Sequence, residues 1–380
     1  MSRLRLSHIV PLAVLALAAG LAAPPASAAT SGTFSKTGTM NTARVHDTAT
    51  LLPNGEVLAA GLGSGTGTQP SAELYNPAKR KWTVTGSMNN PRVFHTATLL
   101  PGGQVLIAGG SGTGSFALAS AELFNPATGT WAVTGSMNAG RSSQSATLLP
   151  NGKVLVAGGL GASGSFLASA ELYNPATGTW ALTGSMTTPR ENQSATLLNN
   201  GQVLVAGGSN NTGPLTSAEL YNPATGKFTQ TGSMTTPRET HDATLLPDGD
   251  VLVTAGVETS GLYSELYHPA TGQWSDATGG LGACSSVREC GFGSSATLLG
   301  TGNVLVAGGF TGLNSNPSTT TSAMLYDPAT NAWTPTGPMS TPRENQTANL
   351  LPDGRVLVAG GASFSNHTAT DLASAELYTP

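Results

Sequence analysis

Thr183 to Phe228 reads TGSMTTPRENQSATLLNNGQVLVAGGSNNTGPLTSAELYNPATGKF, and nearly the same sentence returns along the whole chain. Its fixed words are a TGSM-like turn, an Arg, the run ATLL, a tight turn, the run VLVAGG, a variable loop, SAELYNPATG and a Trp or Phe. The Arg recurs as Arg44, Arg92, Arg141, Arg190, Arg238, Arg288 and Arg343, and the aromatic as Phe34, Trp82, Trp131, Trp180, Phe228, Trp274 and Trp333. Self-similarity at a period of roughly fifty residues is read before any local propensity, because it fixes the architecture.

Each unit is spelled in strands. ATLL and VLVAG are short and aliphatic, and PNG, PGG, PDG, NNG or GTG between them supplies the positive φ of a tight hairpin. SAELY makes a third strand, and NPATG turns it into a fourth that starts at the aromatic. No segment carries helical apolar spacing. Four short antiparallel strands cannot bury both faces of their sheet alone, so the units must stack, and stacking them radially protects their edges. The sequence therefore predicts an all-β, seven-bladed propeller.

The Gly-Gly pair after the second strand (Gly109-Gly110, Gly158-Gly159, Gly207-Gly208, Gly308-Gly309, Gly360-Gly361), followed by Tyr and then Trp, resembles the kelch repeat. In particular it resembles the kelch repeats of secreted bacterial proteins and of the galactose-oxidase-like propeller. The resemblance spans essentially the whole chain after the leader and is specific as to fold. Kelch propellers serve both as binding modules and as enzyme scaffolds, so it leaves function open.

Composition narrows the classes. Only 9% of residues are charged, against about 25% in an ordinary domain. The apolar residues are periodic, which argues against disorder, and the 49 Gly and 24 Pro sit at turns. A formal net charge of −4 offers no broad basic surface, so nucleic acid is not an expected partner.

Residues 1–28 read as a signal peptide: Arg3 and Arg5, an apolar run from Ile9 to Leu21, then Ala26-Ser27-Ala28 as a cleavage site. A membrane anchor is the lesser reading, since the apolar run is short. The expectation is a secreted, extracellular monomer, residues 29–380 forming one propeller. Phe34 stands where every later repeat has its fourth-strand aromatic, while the chain stops at SAELYTP. The N-terminal strand is thus expected to complete the last blade and close the ring.

Chain direction places the short, repetitive turns on one face. The variable second-to-third loops and the links between blades lie on the other, where binding residues are expected. The repeated Arg residues invite a reading as an anion-binding ring. A structural role is preferred, with Arg44, Arg92, Arg141, Arg190, Arg238 and Arg343 held by Glu73, Glu122, Glu171, Glu219, Glu265 and Glu376 on the third strands. Repeat six has Met324 in place of the Glu and carries the insertion around Arg288.

Three residues past each Arg the symmetry breaks: Asp47, His95, Gln144, Gln193, His241 and Gln346, with Glu191, Glu239 and Glu344 nearby. Phe116, Phe166, Tyr263, Phe310 and Phe364 occupy the variable loops, either stacking on a ligand or closing gaps between loops. The candidate ligand-binding residues are His95, Phe116, Gln144, Phe166, Gln193 and His241, for a glycan or protein ligand. His46, His95 and His241 lack the sequence spacing of a metal site, and no metal or other cofactor is expected.

The galactose-oxidase-like resemblance implies a copper centre built from Tyr, His and a Cys-modified Tyr. The chain departs from it, since Tyr75, Tyr173, Tyr221, Tyr267, Tyr326 and Tyr378 are used in the repeated third strand. A mutarotase or lyase working with His, Glu and Arg at the channel mouth is the alternative to a binding module. Cys284 and Cys290, the only two cysteines, are expected to form a disulfide, given an exported chain.

Overall fold

A computed structural model describes residues 32–63, 70–256, 264–277, 292–311, 318–365 and 367–380. The leader, Tyr263, Cys284, Arg288 and Cys290 lie outside the described residues. Seven four-stranded antiparallel sheets form the blades. Blade 3 is typical, running outward from the axis as Ser145–Leu148, Val154–Ala157, Ala170–Asn174 and Thr179–Leu182. The innermost strands of successive blades adjoin around the ring, and that of the first, Thr48–Leu51, adjoins that of the seventh, Thr347–Leu350.

The seventh blade takes its outermost strand from the start of the chain. Thr33–Lys36 pairs antiparallel with Ala375–Thr379, Phe34 opposite Tyr378. Predicted closure and observed closure agree.

The run VLVA is apolar without alternation because both of its faces are covered by neighbours, as in a strand at the middle of a stack. In blade 4, Val203 and Val205 pack with Leu155 and Ala157 of blade 3, while Leu204 and Ala206 pack with Val251 and Val253 of blade 5. Each core is thus an interface between blades, and no blade owns one.

The third- and fourth-strand aromatics fasten the rim. Tyr173 and Trp180 pack with ring centroids 5.0 Å apart. Both reach back to blade 2, Trp180 Nε1 donating to Gly135 O at 2.8 Å and the Tyr173 hydroxyl bonding Thr134 Oγ1 at 2.8 Å. On the short-turn face the hairpin glycines of blades 1 to 6 abut the preceding blade's turn: a Cβ on Gly201 would lie 3.9 Å from Pro150, and one on Gly302 3.6 Å from Pro247.

Candidate functional site

The Arg residues are not at a surface. Arg44, Arg92, Arg141, Arg190, Arg238 and Arg343 are fully buried. Each is paired with the Glu of its own blade's third strand, at distances from 2.9 to 3.3 Å. Arg141 also donates Nη1–H to the carbonyls of Gly158 and Ser169, and Glu171 accepts the N–H groups of Asn138 and Ala139. One ion pair therefore ties the TGSM turn, the Gly-Gly corner and the third strand together. Burial works against ionisation of Glu171, but its donors from Asn138, Ala139 and Arg141 outweigh that and hold the carboxyl below the usual range. In blade 6, Met324 fills the Glu position and packs among apolar residues.

The residues three positions on lie in the seams between blades. Gln144, Gln193 and Gln346 donate Nε2–H to Ala108, Ala157 and Ala307 of the preceding blades at 2.7–2.8 Å. His95 and His241 use Nε2 in the same direction, toward Thr48 Oγ1 at 3.0 Å and Ser194 Oγ at 2.8 Å. All five are buried. Burial lowers both imidazoles to about 3, so they are neutral. Asp47 holds the same place in blade 1, and Asp242 follows His241; burial raises both carboxyls to about 7. Of the candidate ligand residues, then, His95, Gln144, Gln193 and His241 bridge blades.

The residue before each of these adopts a left-handed backbone: His46, Phe94, Ser143, Asn192, Thr240 and Asn345 have φ between 50° and 55°, with Gly293 in the sixth blade at 75°. Their peptides bond from blade to blade, Ser143 N to Phe94 O, Asn192 N to Ser143 O, and Thr240 N to Asn192 O, at 2.9–3.0 Å. Non-Gly residues in this region cost about 1 kcal/mol each or more, and such strain gathers where function is built. The collar carries a small aromatic surface: the His46 and Phe94 rings lie 4.3 Å apart, and Phe94 is 40% exposed.

One residue nearer each Arg, blades 1 to 3 present Val45, Val93 and Ser142, whereas blades 4, 5 and 7 present Glu191, Glu239 and Glu344. Burial raises Glu191, with Glu239 adding to the effect, and burial raises Glu344 to about 7. Ser209 Oγ donates to Glu239 Oε2 at 2.5 Å. At this position the blades therefore divide into Val45, Val93 and Ser142 on one side and three carboxyls on the other, of which burial raises those of Glu191 and Glu344.

Outside the collar stand the loops. Phe116 is 77% exposed, at the tip of a loop that Leu118 N→Gly110 O, Gly112 N→Ser115 O and Ser111 Oγ→Phe116 O bonds fix at 2.8–2.9 Å. Phe166 is half-buried. Phe310 and Phe364 pack on each other, centroids 5.2 Å apart, closing the gap between the loops of blades 6 and 7. Sequence reasoning missed Phe94 and Asp242. Phe94 was discoverable as the one Phe, Tyr or Trp two positions after an aligned Arg.

The Kelch motif model matches residues 141–187, 193–235 and 295–340. No curated protein matches the chain. Among solved structures, a novel fungal alcohol oxidase of the AA5 family, in complex with copper, superposes with a TM-score of 0.70 at 20% identity, over 92% of this chain and 76% of that one. At that identity the likeness speaks for the fold alone. The described residues do not fit a copper centre: no three His, Cys, Asp or Glu side chains among them converge on one point. The hydroxyls of Tyr75, Tyr173, Tyr221, Tyr267 and Tyr378 are bonded to Thr and that of Tyr326 to Asn331. Three matched motifs, the Gly-Gly corners and seven closed blades make this chain a kelch-repeat β-propeller.

Proposed function

We propose that the protein is an exported binding module that takes a glycan or protein ligand on the variable-loop face. The observation that carries this reading is Phe116, held 77% exposed by a loop whose backbone is internally bonded. An aromatic ring kept in water on a fixed support is what stacking on a sugar ring or an apolar side chain requires. Phe94 and the carboxyls of Glu191 and Glu239 stand nearer the axis on the same face and supply further stacking area and hydrogen-bonding groups. The leader supports export to the extracellular space, and we take the module to be a monomer.

A carbohydrate-active enzyme is the second reading, favoured by the Glu344 carboxyl held up to about 7 by burial, the range of a general acid. The test is a screen of the mature protein against glycan and protein arrays, with turnover and copper content measured on the same sample. Selective binding that Phe116→Ala weakens, without turnover, supports the module. Turnover that Glu344→Gln abolishes, or stoichiometric copper with alcohol oxidation, overturns it.

A further inference from the structure

The described cavities lie on the short-turn face, opposite the variable loops. They repeat at blade seams, with volumes of about 280 Å³ between blades 1 and 2, 500 Å³ between 3 and 4, 310 Å³ between 4 and 5, and 270 Å³ between 5 and 6. Each is walled by the hairpin turns of two neighbouring blades and by the third-to-fourth-strand turn of the second.

The groove between blades 3 and 4 has a floor of pyrrolidine and glycine carbons, Pro150 against Gly201. Its walls carry the side-chain amides of Asn151, Asn200, Gln202 and Asn222. Those amides are already oriented. Asn151 Oδ1 accepts Lys153 N at 3.1 Å and Asn222 Oδ1 accepts Ala224 N at 2.9 Å, so each turn consumes the acceptor and leaves the Nδ2 donors to the groove. Asn200 likewise spends its own Nδ2 on Gln202 Oε1 at 3.0 Å, which leaves the Gln202 amino group. The groove between blades 1 and 2 repeats part of the plan, with Pro53, Gln104 and Asn125; its Asn54 spends Nδ2 on Glu56 Oε2 at 3.1 Å, so the donors left to it are those of Gln104 and Asn125. No charged side chain lines either one. The two grooves flanking blade 5 carry Asp248, which repels anions from that side of the ring.

We infer that this face is a multivalent site for a neutral polysaccharide, the grooves at the blade 1–2 and blade 3–4 seams each taking sugar residues of one chain. Flat carbon surface beneath fixed neutral donors matches a sugar ring with its hydroxyl and ring oxygens, and the lack of cations selects against acidic polymers. Each groove is open and binds weakly by itself. Two on one rigid ring, met by one repeating polymer, gain by effective concentration.

The test is affinity electrophoresis of the full mature chain through gels containing dextran, amylose, a β-1,3-glucan or a galactomannan. Asn151→Asp with Asn222→Asp keeps both turns, since Asp248 and Asp327 make the same turn bonds in blades 5 and 6, and it deletes the donors. Retardation by at least one of these polymers is expected, reduced about tenfold in the double variant, as the loss of two hydrogen bonds implies, and unchanged in Phe116→Ala. Three results overturn the inference: no retardation by any of the four, a double variant as retarded as the parent, or retardation lost in Phe116→Ala alone. The last would assign the polymer to the variable-loop face and leave the proposed function standing.

Discussion

Gln193, in the link leading to the fourth blade, donates its Nε2–H to the carbonyl of Ala157 in the third at 2.8 Å, and Ser145 Oγ lies 3.3 Å from the same nitrogen. The same bridge is made by Gln144 and Gln346, while His95 and His241 place a neutral imidazole across the seam. Five seams near the axis are therefore fastened by neutral groups, while the first blade places there Asp47, whose carboxyl burial raises to about 7.

This arrangement sets the response to pH. Asp47, Asp242 and Glu344 have native pKa values raised to about 7, so their contribution is full below the unfolded carboxylate range near 4 and is lost as pH rises toward 7. His95 and His241 are lowered to about 3, so their contribution is full above the unfolded imidazole value near 6.5 and is lost as pH falls toward 3. Between about pH 4 and 6.5 the two trends oppose, but three acids outweigh two imidazoles, and the melting temperature is expected to fall gently as pH rises. Asp242→Asn should flatten the profile; His241→Gln should steepen its fall. Parallel profiles for all three proteins would contradict the assignment.

Arg141→Ala should lower unfolding free energy by about 3–5 kcal/mol, because Glu171 is left buried and unpaired. The double change Arg141→Met with Glu171→Met should recover much of that loss, as Met324 at the Glu position of blade 6 already packs in an apolar seam. Urea melts of both variants decide it. A single variant as stable as the parent would mean the ion pair adds nothing.

Backbone geometry yields a paired test. Gly207 has φ of 60°, and a Cβ there would lie 2.6 Å from both Arg238 O and the His241 ring. At Gly102 an added Cβ meets nothing within 4 Å. Gly207→Ala is expected to cost about 2–3 kcal/mol more than Gly102→Ala, by denaturant titration.

Removing residues 30–40 deletes the strand that pairs with Ala375–Thr379 and exposes that edge. The truncated protein should melt lower and self-associate, as measured by calorimetry and light scattering. A monomer with the parent's melting temperature would show that the closing strand is dispensable.

The fold was legible because its signals were repeated: an ambiguous run such as VLVAG becomes decisive when it returns in step with the same turns. The seam residues were harder to place. Spacing puts Gln144 or His241 on the inner strand's approach, but a side chain there can turn toward the axis or toward the next blade. The choice is made by the residue before it, and nothing in Ser143 or Thr240 announces a left-handed backbone, a conformation Thr seldom adopts. Phe116 was legible as a loop aromatic; its exposure depended on the hydrogen bonds of its loop, which the residue types leave undetermined. The grooves of the opposite face were missed because turns that look alike were read as inert, whereas two of them side by side enclose a volume.

The pairing of Thr33–Lys36 with Ala375–Thr379 puts the written repeat and the physical blade one strand out of phase. Unequal exchange between two repeats of such a gene removes or adds one strand of each kind, wherever in the repeat the crossover falls. What remains still begins with an outer strand and ends with the three inner ones. A ring built this way can shrink or grow by whole blades in a single recombination, and its descendants inherit the seam fastenings ready-made.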